Sequence, residues 1–131
     1  MKVCKMFRFD AAHYLPNYEG KCSRLHGHGW VLEVEVEGPV HEDGMVVDFA
    51  ALKVAVNHNI IDLLDHRCLN DLAKEPEFLG TAFDNPTCEN LLDWMWQRIE
   101  GVFDGCELSR LRLYETPDSF AEMTHDSSKV A

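Results

Sequence analysis

The stretch from His28 to Gly38 alternates between apolar and charged side chains, and this pattern constrains the fold more than any other part of the chain. Its apolar positions are Trp30, Leu32, Val34 and Val36, and its charged positions are Glu33, Glu35 and Glu37. Successive side chains of a β-strand point to opposite faces of the sheet, so this period of two predicts a strand with one buried face and one face in water. Such a strand is typical of an antiparallel sheet.

Further strands and two helices are predicted around this strand. The other predicted strands are Val3–Ala11, Met45–Val47, Leu108–Glu115 and Ser119–Thr124. Asp48 is a suitable N-cap for a helix from Phe49 to about Asp62. Asn85, as a cap, and Pro86 suit the start of a second helix that ends near Gly101. This order of elements predicts an α+β fold, in which two helices pack on one face of an antiparallel sheet.

The whole chain, residues 1–131, is predicted to form one domain. Its hydrophobic content is 46%, which is enough for a core, and it contains no repeats or low-complexity linkers. The predicted apolar stripe of the first helix consists of Phe49, Leu52, Val56 and Ile60. A polar loop is expected from Leu69 to Asn85, and a frayed tail from Asp126 to Ala131. Association with further copies would cover the open edges of such a small sheet.

The charge of the chain excludes some classes of function. Asp and Glu number 23 and Lys and Arg number 12, which gives a formal net charge of −11. This charge argues against binding to nucleic acid and to anionic membranes. The five cysteines show no C-X-X-C spacing and fit neither a disulfide framework nor a thiolate zinc finger. With no secretory signal core at the start and no long apolar run, the expected compartment is the cytoplasm.

Three histidines predict a catalytic zinc site. In an extended segment, His26 and His28 place both imidazoles on one face of the strand, and Gly27 between them has no side chain to crowd a metal. His13 follows the first predicted strand and is a candidate third ligand. Three imidazoles leave zinc one position for water or substrate, whereas structural zinc sites normally use four protein ligands. The alternative interpretation is that these are ordinary histidines that bind no metal.

Cys22 and the pair Asp65–His66 are candidates for proton transfer. The positive charge of Lys21 and Arg24, together with a nearby zinc ion, would favour the Cys22 thiolate as a base or nucleophile. A buried free cysteine that acts only as a small apolar residue is the alternative. An Asp next to a His could orient a proton relay near a cysteine, although such pairs are also common without any function.

Three further residues are candidates for substrate binding. Glu115 lies on the apolar face of its predicted strand, where a carboxylate would suit a heterocycle with an amidine-like pair of N–H groups. A solvated glutamate at the end of a strand is the alternative. Thr87 lies at the start of the second helix and is either a substrate contact or only a helix-start residue. Arg24 could offset the charge of an anionic small substrate despite the acidic chain.

Six motifs, taken in order, resemble those of the 6-pyruvoyl-tetrahydropterin synthase superfamily. They are Phe9-Asp10-Ala11-Ala12-His13, Cys22-X-X-X-His26-Gly27-His28, Val47-Asp48-Phe49, Leu64-Asp65-His66, Asn85-Pro86-Thr87-Cys88-Glu89-Asn90 and Tyr114-Glu115-Thr116. The resemblance runs from about Phe7 to Glu122. It implies a T-fold and a homo-oligomer, commonly a hexamer of two stacked trimers, with active sites at subunit interfaces.

The resemblance also implies a role for each candidate residue. The implied zinc ligands are His13, His26 and His28. Cys22 would be the catalytic base, with Asp65 and His66 completing the relay. Glu115 would anchor a pterin, with Thr87 near it, and in some descriptions of the family the same glutamate is counted with the catalytic relay.

The position of Cys22, four residues before His26, resembles the carboxy-forming branch of the superfamily. That branch implies a zinc-dependent lyase that converts 7,8-dihydroneopterin triphosphate to 6-carboxy-5,6,7,8-tetrahydropterin, with release of acetaldehyde and triphosphate, in queuosine biosynthesis. Two alternatives remain open. One is an enzyme that makes 6-pyruvoyl-tetrahydropterin from the same substrate, and the other is a zinc-stabilised binding module without turnover.

Overall fold

The computed structural model describes residues 1–78 and 82–126, and these residues form the predicted α+β fold. The strands are β1 (Lys2–His13), β2 (His26–Glu37), β3 (Arg67–Cys68), β4 (Glu107–Thr116) and β5 (Ser119–Thr124). They form one sheet in the order β3-β1-β2-β4-β5. All neighbouring strands are antiparallel except β3, which runs parallel to β1.

The central strand β2 has the two faces that its sequence predicts. Its apolar side chains are buried in the core, and those are Trp30, Leu32, Val34 and Val36. On the opposite face, Glu33 and Glu35 form ion pairs with Arg110 of β4. Glu122 of β5 pairs with Arg110 and with Arg112 of the same sheet. The open face of the sheet is therefore a network of paired charges.

The first predicted helix is present but is not a single regular helix. It comprises α1 (Phe49–Val56), a π-helical turn (Asn57–Ile61) and α2 (Asp62–Leu64). Asp48 caps α1 as predicted, since its carboxylate accepts a hydrogen bond of 2.8 Å from the backbone N–H of Ala50. The predicted stripe is correct at Leu52, Val56 and Ile60, which are buried. It is wrong at Phe49, the first residue of α1, which is 49% exposed.

The second long helix, α4 (Cys88–Ile99), begins two residues later than the sequence suggests. Its N-cap is Thr87, whose hydroxyl accepts a hydrogen bond of 3.1 Å from the backbone N–H of Asn90. The prediction of Asn85 as the cap is therefore wrong. The helix buries one face against the sheet, with Leu91, Leu92, Trp94, Met95, Trp96 and Ile99 in the core.

Three other predictions need correction. The segment Met45–Val47 is not a strand, because the backbone of Met45 bonds to Asp43 and His41 within a turn. The two-residue strand β3 is too short to show a period and was not predicted. The polar loop contains α3 (Leu69–Leu72) and the 3-10 turns Pro76–Phe78 and Ala82–Asp84, while its residues 79–81 lie outside the described residues.

Of the predicted tail, residues 127–131 also lie outside the described part of the chain. No helix within residues 1–78 or 82–126 is both long enough and apolar enough to cross a bilayer.

Candidate active site

The pairing of β1 with β2 brings the three predicted metal ligands together at one end of the sheet. His13 lies opposite His26, and Ala11 lies opposite His28, so the three histidines share one face. Their ring centres are 4.7, 4.8 and 5.1 Å apart. Their candidate ligand nitrogens all lie within 4.8 Å of one another. The pairing of the two strands thus brings three histidines that are separated in the sequence into one cluster of imidazoles.

Backbone carbonyl groups fix the orientation of two of these imidazoles. Nδ1 of His13 donates a 2.8 Å hydrogen bond to the carbonyl of Pro86, and Nδ1 of His26 donates one of 2.6 Å to the carbonyl of Arg24. A carbonyl can only accept, so the proton is on Nδ1 and the lone pair is on Nε2. This arrangement of the second ring nitrogen is the one that histidine ligands of metals ordinarily use.

The environment of the Nε2 atoms in the cluster suits the binding of a metal ion. Those of His13 and His28 are buried and have no hydrogen-bond partner among the described residues. Burial lowers the pKa of both imidazoles, although Glu115 opposes that shift. Neutral rings are the form that binds metal ions. A divalent cation would satisfy nitrogen atoms that are costly to bury alone.

Glu115, near the end of β4, places its carboxylate beside this cluster. Its Oε2 lies 3.9 Å from Nε2 of His13, and its Oε1 lies 3.8 Å from Nε2 of His28. The same glutamate lines a cleft of about 440 Å³. The other residues of that cleft are Cys88, Glu89, Ser119, Phe120 and Ala121. The carboxylate therefore stands between three potential metal ligands and a space that can hold a small molecule.

The start of α4 forms the wall of this cleft. Cys88 donates a hydrogen bond of 3.2 Å to the carbonyl of Leu113, and burial raises the pKa of its thiol to about 11. This cysteine is therefore a structural thiol and not a nucleophile at neutral pH. The sequence did not single out Pro86 as a partner of His13, since no pattern signals a contact made by a backbone carbonyl.

Cys22 lies in the loop that joins β1 to β2. It is the middle residue of a 3-10 turn, Lys21–Ser23, and it is partly buried. The carbonyl of Cys22 accepts a hydrogen bond of 2.8 Å from the backbone N–H of Leu15, which closes the loop. The side chain of Arg24 is exposed, while its carbonyl holds His26. The loop thus leads from the candidate base directly into the strand that carries His26 and His28.

The pair Asp65–His66 is attached to β1. Oδ1 of Asp65 accepts a hydrogen bond of 2.9 Å from the backbone N–H of Asp10 and lies 2.9 Å from Nδ1 of His66. The hydrogen bond from Asp10 is the main cause that lowers the pKa of the Asp65 carboxyl. His66 has a positive φ of 61°, which its backbone bond of 2.6 Å to the carbonyl of Asp10 holds in place. In this dyad, the carboxylate of Asp65 thus orients the imidazole of His66.

The dyad and the histidine cluster are separate groups of side chains within one chain. The dyad lies beside the carboxylate of Asp10, whose side chain points to the face of the sheet opposite to that of His13. His66 is exposed beside β3 and lines a cleft of about 520 Å³ together with Asp10 and His28. Among the described residues, no hydrogen bond or ion pair joins Cys22 to Asp65 or His66. The histidine cluster and Glu115 therefore form one group, and the dyad forms another.

Known proteins match nearly the whole chain. The family model described as 6-pyruvoyl tetrahydropterin synthase matches residues 2–126. A protein of Haemophilus influenzae named 6-carboxy-5,6,7,8-tetrahydropterin synthase is 35% identical over 138 residues, with 92% of this chain and 96% of that protein covered. A Pyrococcus furiosus protein named dihydroneopterin monophosphate aldolase is 41% identical over 118 residues, with 88% and 91% covered.

A solved structure is similar as well. The 6-pyruvoyl tetrahydropterin synthase of Caenorhabditis elegans superposes with a TM-score of 0.78 and 28% sequence identity, and the match covers 95% of this chain and 94% of that one. The predicted T-fold is thereby confirmed. The chain belongs to the 6-pyruvoyl tetrahydropterin synthase family and is a lyase of the pterin-synthase type.

Proposed function

We propose that this chain is a zinc-dependent 6-carboxy-5,6,7,8-tetrahydropterin synthase of queuosine biosynthesis. Its reaction would convert 7,8-dihydroneopterin triphosphate and water to 6-carboxy-5,6,7,8-tetrahydropterin, acetaldehyde and triphosphate, a set of products in which all atoms balance. The observation that carries the proposal is the convergence of three imidazoles, two with buried and unpaired Nε2 atoms, beside a carboxylate at a cleft. The name of the Haemophilus influenzae relative supports the carboxy product.

The residues of the cluster fit a zinc ion. Three neutral imidazoles without a carboxylate in the shell suit zinc better than magnesium or calcium, and they leave one coordination position free. His13, His26 and His28 would hold the ion. When bound, it would supply Lewis-acid polarisation of the oxygen atoms on the substrate side chain.

The cleft beside the cluster suits the pterin ring. The two oxygens of Glu115 can accept hydrogen bonds from a pair of ring and amino N–H groups, which also places the ring next to the histidines. The hydroxyl of Thr87 already accepts a hydrogen bond in the helix cap, and its own proton remains available for donation to the substrate.

Cys22 and the Asp65–His66 dyad would move the protons. The Cys22 thiolate would take a weakly acidic C–H proton from the substrate side chain. Asp65 holds a proton on Nδ1 of His66, which leaves Nε2 as the atom that can accept and return a proton. The exposed guanidinium of Arg24 would offset part of the triphosphate charge.

We further propose that the chain works as a homo-oligomer, with a hexamer as the expected size. Within one chain the dyad is grouped with Asp10 and apart from the three histidines, and no hydrogen bond or ion pair among the described residues joins it to Cys22, so we expect a second copy to complete the set of groups. The strands at the two edges, β3 and β5, are open for association in the single chain. In this arrangement, the relay of one subunit would serve the metal site of another.

A product assay tests the proposed reaction. Purified, zinc-loaded protein is incubated with 7,8-dihydroneopterin triphosphate, and the pterin product is identified by mass while acetaldehyde is measured separately. Acetaldehyde together with 6-carboxy-5,6,7,8-tetrahydropterin is the expected result. A 6-pyruvoyl product without acetaldehyde would assign the chain to the pyruvoyl-forming branch, and zinc binding without turnover would contradict both.

One relative supports a second candidate function. The Pyrococcus furiosus protein at 41% identity is named an aldolase of dihydroneopterin monophosphate, which differs from the proposed substrate in its phosphate chain. The assay is therefore run with the monophosphate and the triphosphate in parallel at equal concentration. A higher kcat/KM for the monophosphate, with the triphosphate left intact, would favour the aldolase.

A further inference from the structure

We propose that Glu115 supplies the charge that balances the metal ion, and that tight zinc binding depends on this carboxylate although it is not a ligand. This inference rests on the zinc site of the proposed function. In this role Glu115 would act before the pterin binds, in addition to recognising the substrate ring.

Most carboxylates next to the arginines of β4 are paired with them, but Glu115 is not. Glu33, Glu35 and Glu122 each form an ion pair with an arginine of β4. Glu115 also lies on β4, and it is only 29% exposed, yet no lysine or arginine lies within ion-pair distance of it in the described part of the chain. Its only charge-capable partners there are His13 and His28. The half-buried carboxylate therefore lacks a permanent counter-ion.

A metal ion bound by the three histidines would keep its full charge. Imidazoles bind a metal in their neutral form, so three of them leave the full charge of a divalent ion in a largely buried place. A charge in such a place is costly unless an opposite charge lies near it. Glu115 has a negative charge without a permanent counter-ion, and the histidine cluster would hold a cation without an anion. The carboxylate and the bound ion would therefore balance each other's charge.

Glu115 lies close to the histidine cluster without being part of it. The two carboxylate oxygens lie 3.8 and 3.9 Å from the nearest ligand nitrogens, and Glu115 is not part of the group whose ligand atoms lie within 4.8 Å of one another. The carboxylate is thus close enough for strong attraction to an ion held by the three histidines, at low solvent exposure. Groups just outside the ligand shell ordinarily change metal affinity by about 10- to 100-fold.

The test measures zinc affinity alone, without pterin, by competition with a chromogenic chelator. The variant Glu115→Gln removes the charge and keeps the shape, and we expect it to bind zinc about 10- to 100-fold more weakly than the wild type. Glu89→Gln is the matched control, because Glu89 lines the same cleft and forms no ion pair with the cluster. We expect its zinc affinity to stay within about twofold of the wild type.

Two further results decide between charge and shape. Glu115→Asp keeps the charge and should bind zinc more tightly than Glu115→Gln, whereas equal weakness of both variants would overturn the inference. Cobalt(II) bound to Glu115→Gln should give the same visible spectrum as cobalt in the wild type, and a changed spectrum would show that Glu115 is a ligand.

Zinc affinity in Glu115→Gln equal to that of the wild type would also overturn the inference. That outcome leaves the proposed reaction intact, since turnover is measured separately. A wild-type protein that does not bind zinc would overturn both the inference and the metal site of the proposed function.

Discussion

The carbonyl oxygen of Pro86 accepts a hydrogen bond of 2.8 Å from Nδ1 of His13, a residue 73 positions earlier in the chain. This bond connects the start of α4 to the first strand of the sheet at the candidate metal site. It also fixes the tautomer that leaves Nε2 of His13 free for a ligand bond. The N-cap residue Thr87 therefore directly follows Pro86, the residue whose carbonyl group binds His13 of the histidine cluster.

Replacement of the helix cap should affect both stability and metal binding. Thr87→Ala removes the acceptor for the N–H of Asn90, and we expect the free energy of unfolding of the metal-free protein to fall by about 1 kcal/mol. Because Pro86 is adjacent, zinc affinity should fall as well. Urea denaturation in EDTA and chelator competition measure the two effects. Thr87→Ser keeps the hydroxyl and serves as the control, and zinc affinity unchanged in Thr87→Ala would contradict the coupling.

Removal of one histidine of the cluster should abolish zinc binding and activity together. His28→Ala takes away one of three ligands, so we expect less than a tenth of the wild-type zinc content after dialysis and no measurable turnover. His58→Ala is the control, since His58 is exposed on the π-helical turn and lies outside the cluster. Zinc content is measured by atomic absorption. A fully loaded His28→Ala protein would show that the ligand set is wrong.

The histidine cluster and the sheet were predictable from the sequence because alternate residues of a strand lie on the same face. The alternation around Trp30 gives the buried face of β2, and His28 has the same parity as that face. A β1–β2 loop that returns the chain antiparallel then brings His13 opposite His26. The alternation is a local signal, whereas the register that places His13 opposite His26 is seen only in the structure.

The parts that were predicted wrongly depend on contacts that leave no periodic signal. Met45 looks like a strand residue, but its N–H bonds to the side chain of Asp43 in a turn. The cap of α4 is at Thr87 and not at Asn85, because the Thr87 hydroxyl accepts a hydrogen bond from the N–H of Asn90, a contact that the apolar periodicity does not reveal. The position of the dyad depends on two long-range hydrogen bonds, from the N–H of His66 to the carbonyl of Asp10 and from the N–H of Asp10 to the carboxylate of Asp65, and no rule applied to the sequence gives such contacts.

Loss of the candidate base should lower turnover without loss of metal. We expect Cys22→Ala to reduce kcat by about 100-fold or more, as is typical for the removal of a positioned general base. Zinc content and the unfolding transition should remain those of the wild type, because the Cys22 thiol takes no part in the histidine cluster. Cys4→Ala is the control, since Cys4 is exposed at the other end of β1. Near-normal turnover of Cys22→Ala would remove Cys22 from the mechanism.

The metal-free protein should lose stability as the pH falls below about 6.5. Burial lowers the pKa of His13 and His28 from an ordinary value of 6.5, so the unfolded chain binds protons at a pH where the folded chain does not. The free energy of unfolding then falls with pH, by at most about 1.4 kcal/mol per pH unit for each histidine. The fall stops where the folded histidines themselves become protonated.

A histidine variant separates this effect from the titration of carboxylates. In His28→Gln one of the two groups is gone, so the free energy of unfolding in EDTA should depend less steeply on pH between 7.5 and 5.5 than in the wild type. His58→Gln controls for the loss of an exposed histidine and should keep the wild-type slope. Equal slopes for His28→Gln and the wild type would mean that His28 is not held neutral by burial. That result would weaken the case for a preformed metal site, since neutral imidazoles are what the site needs.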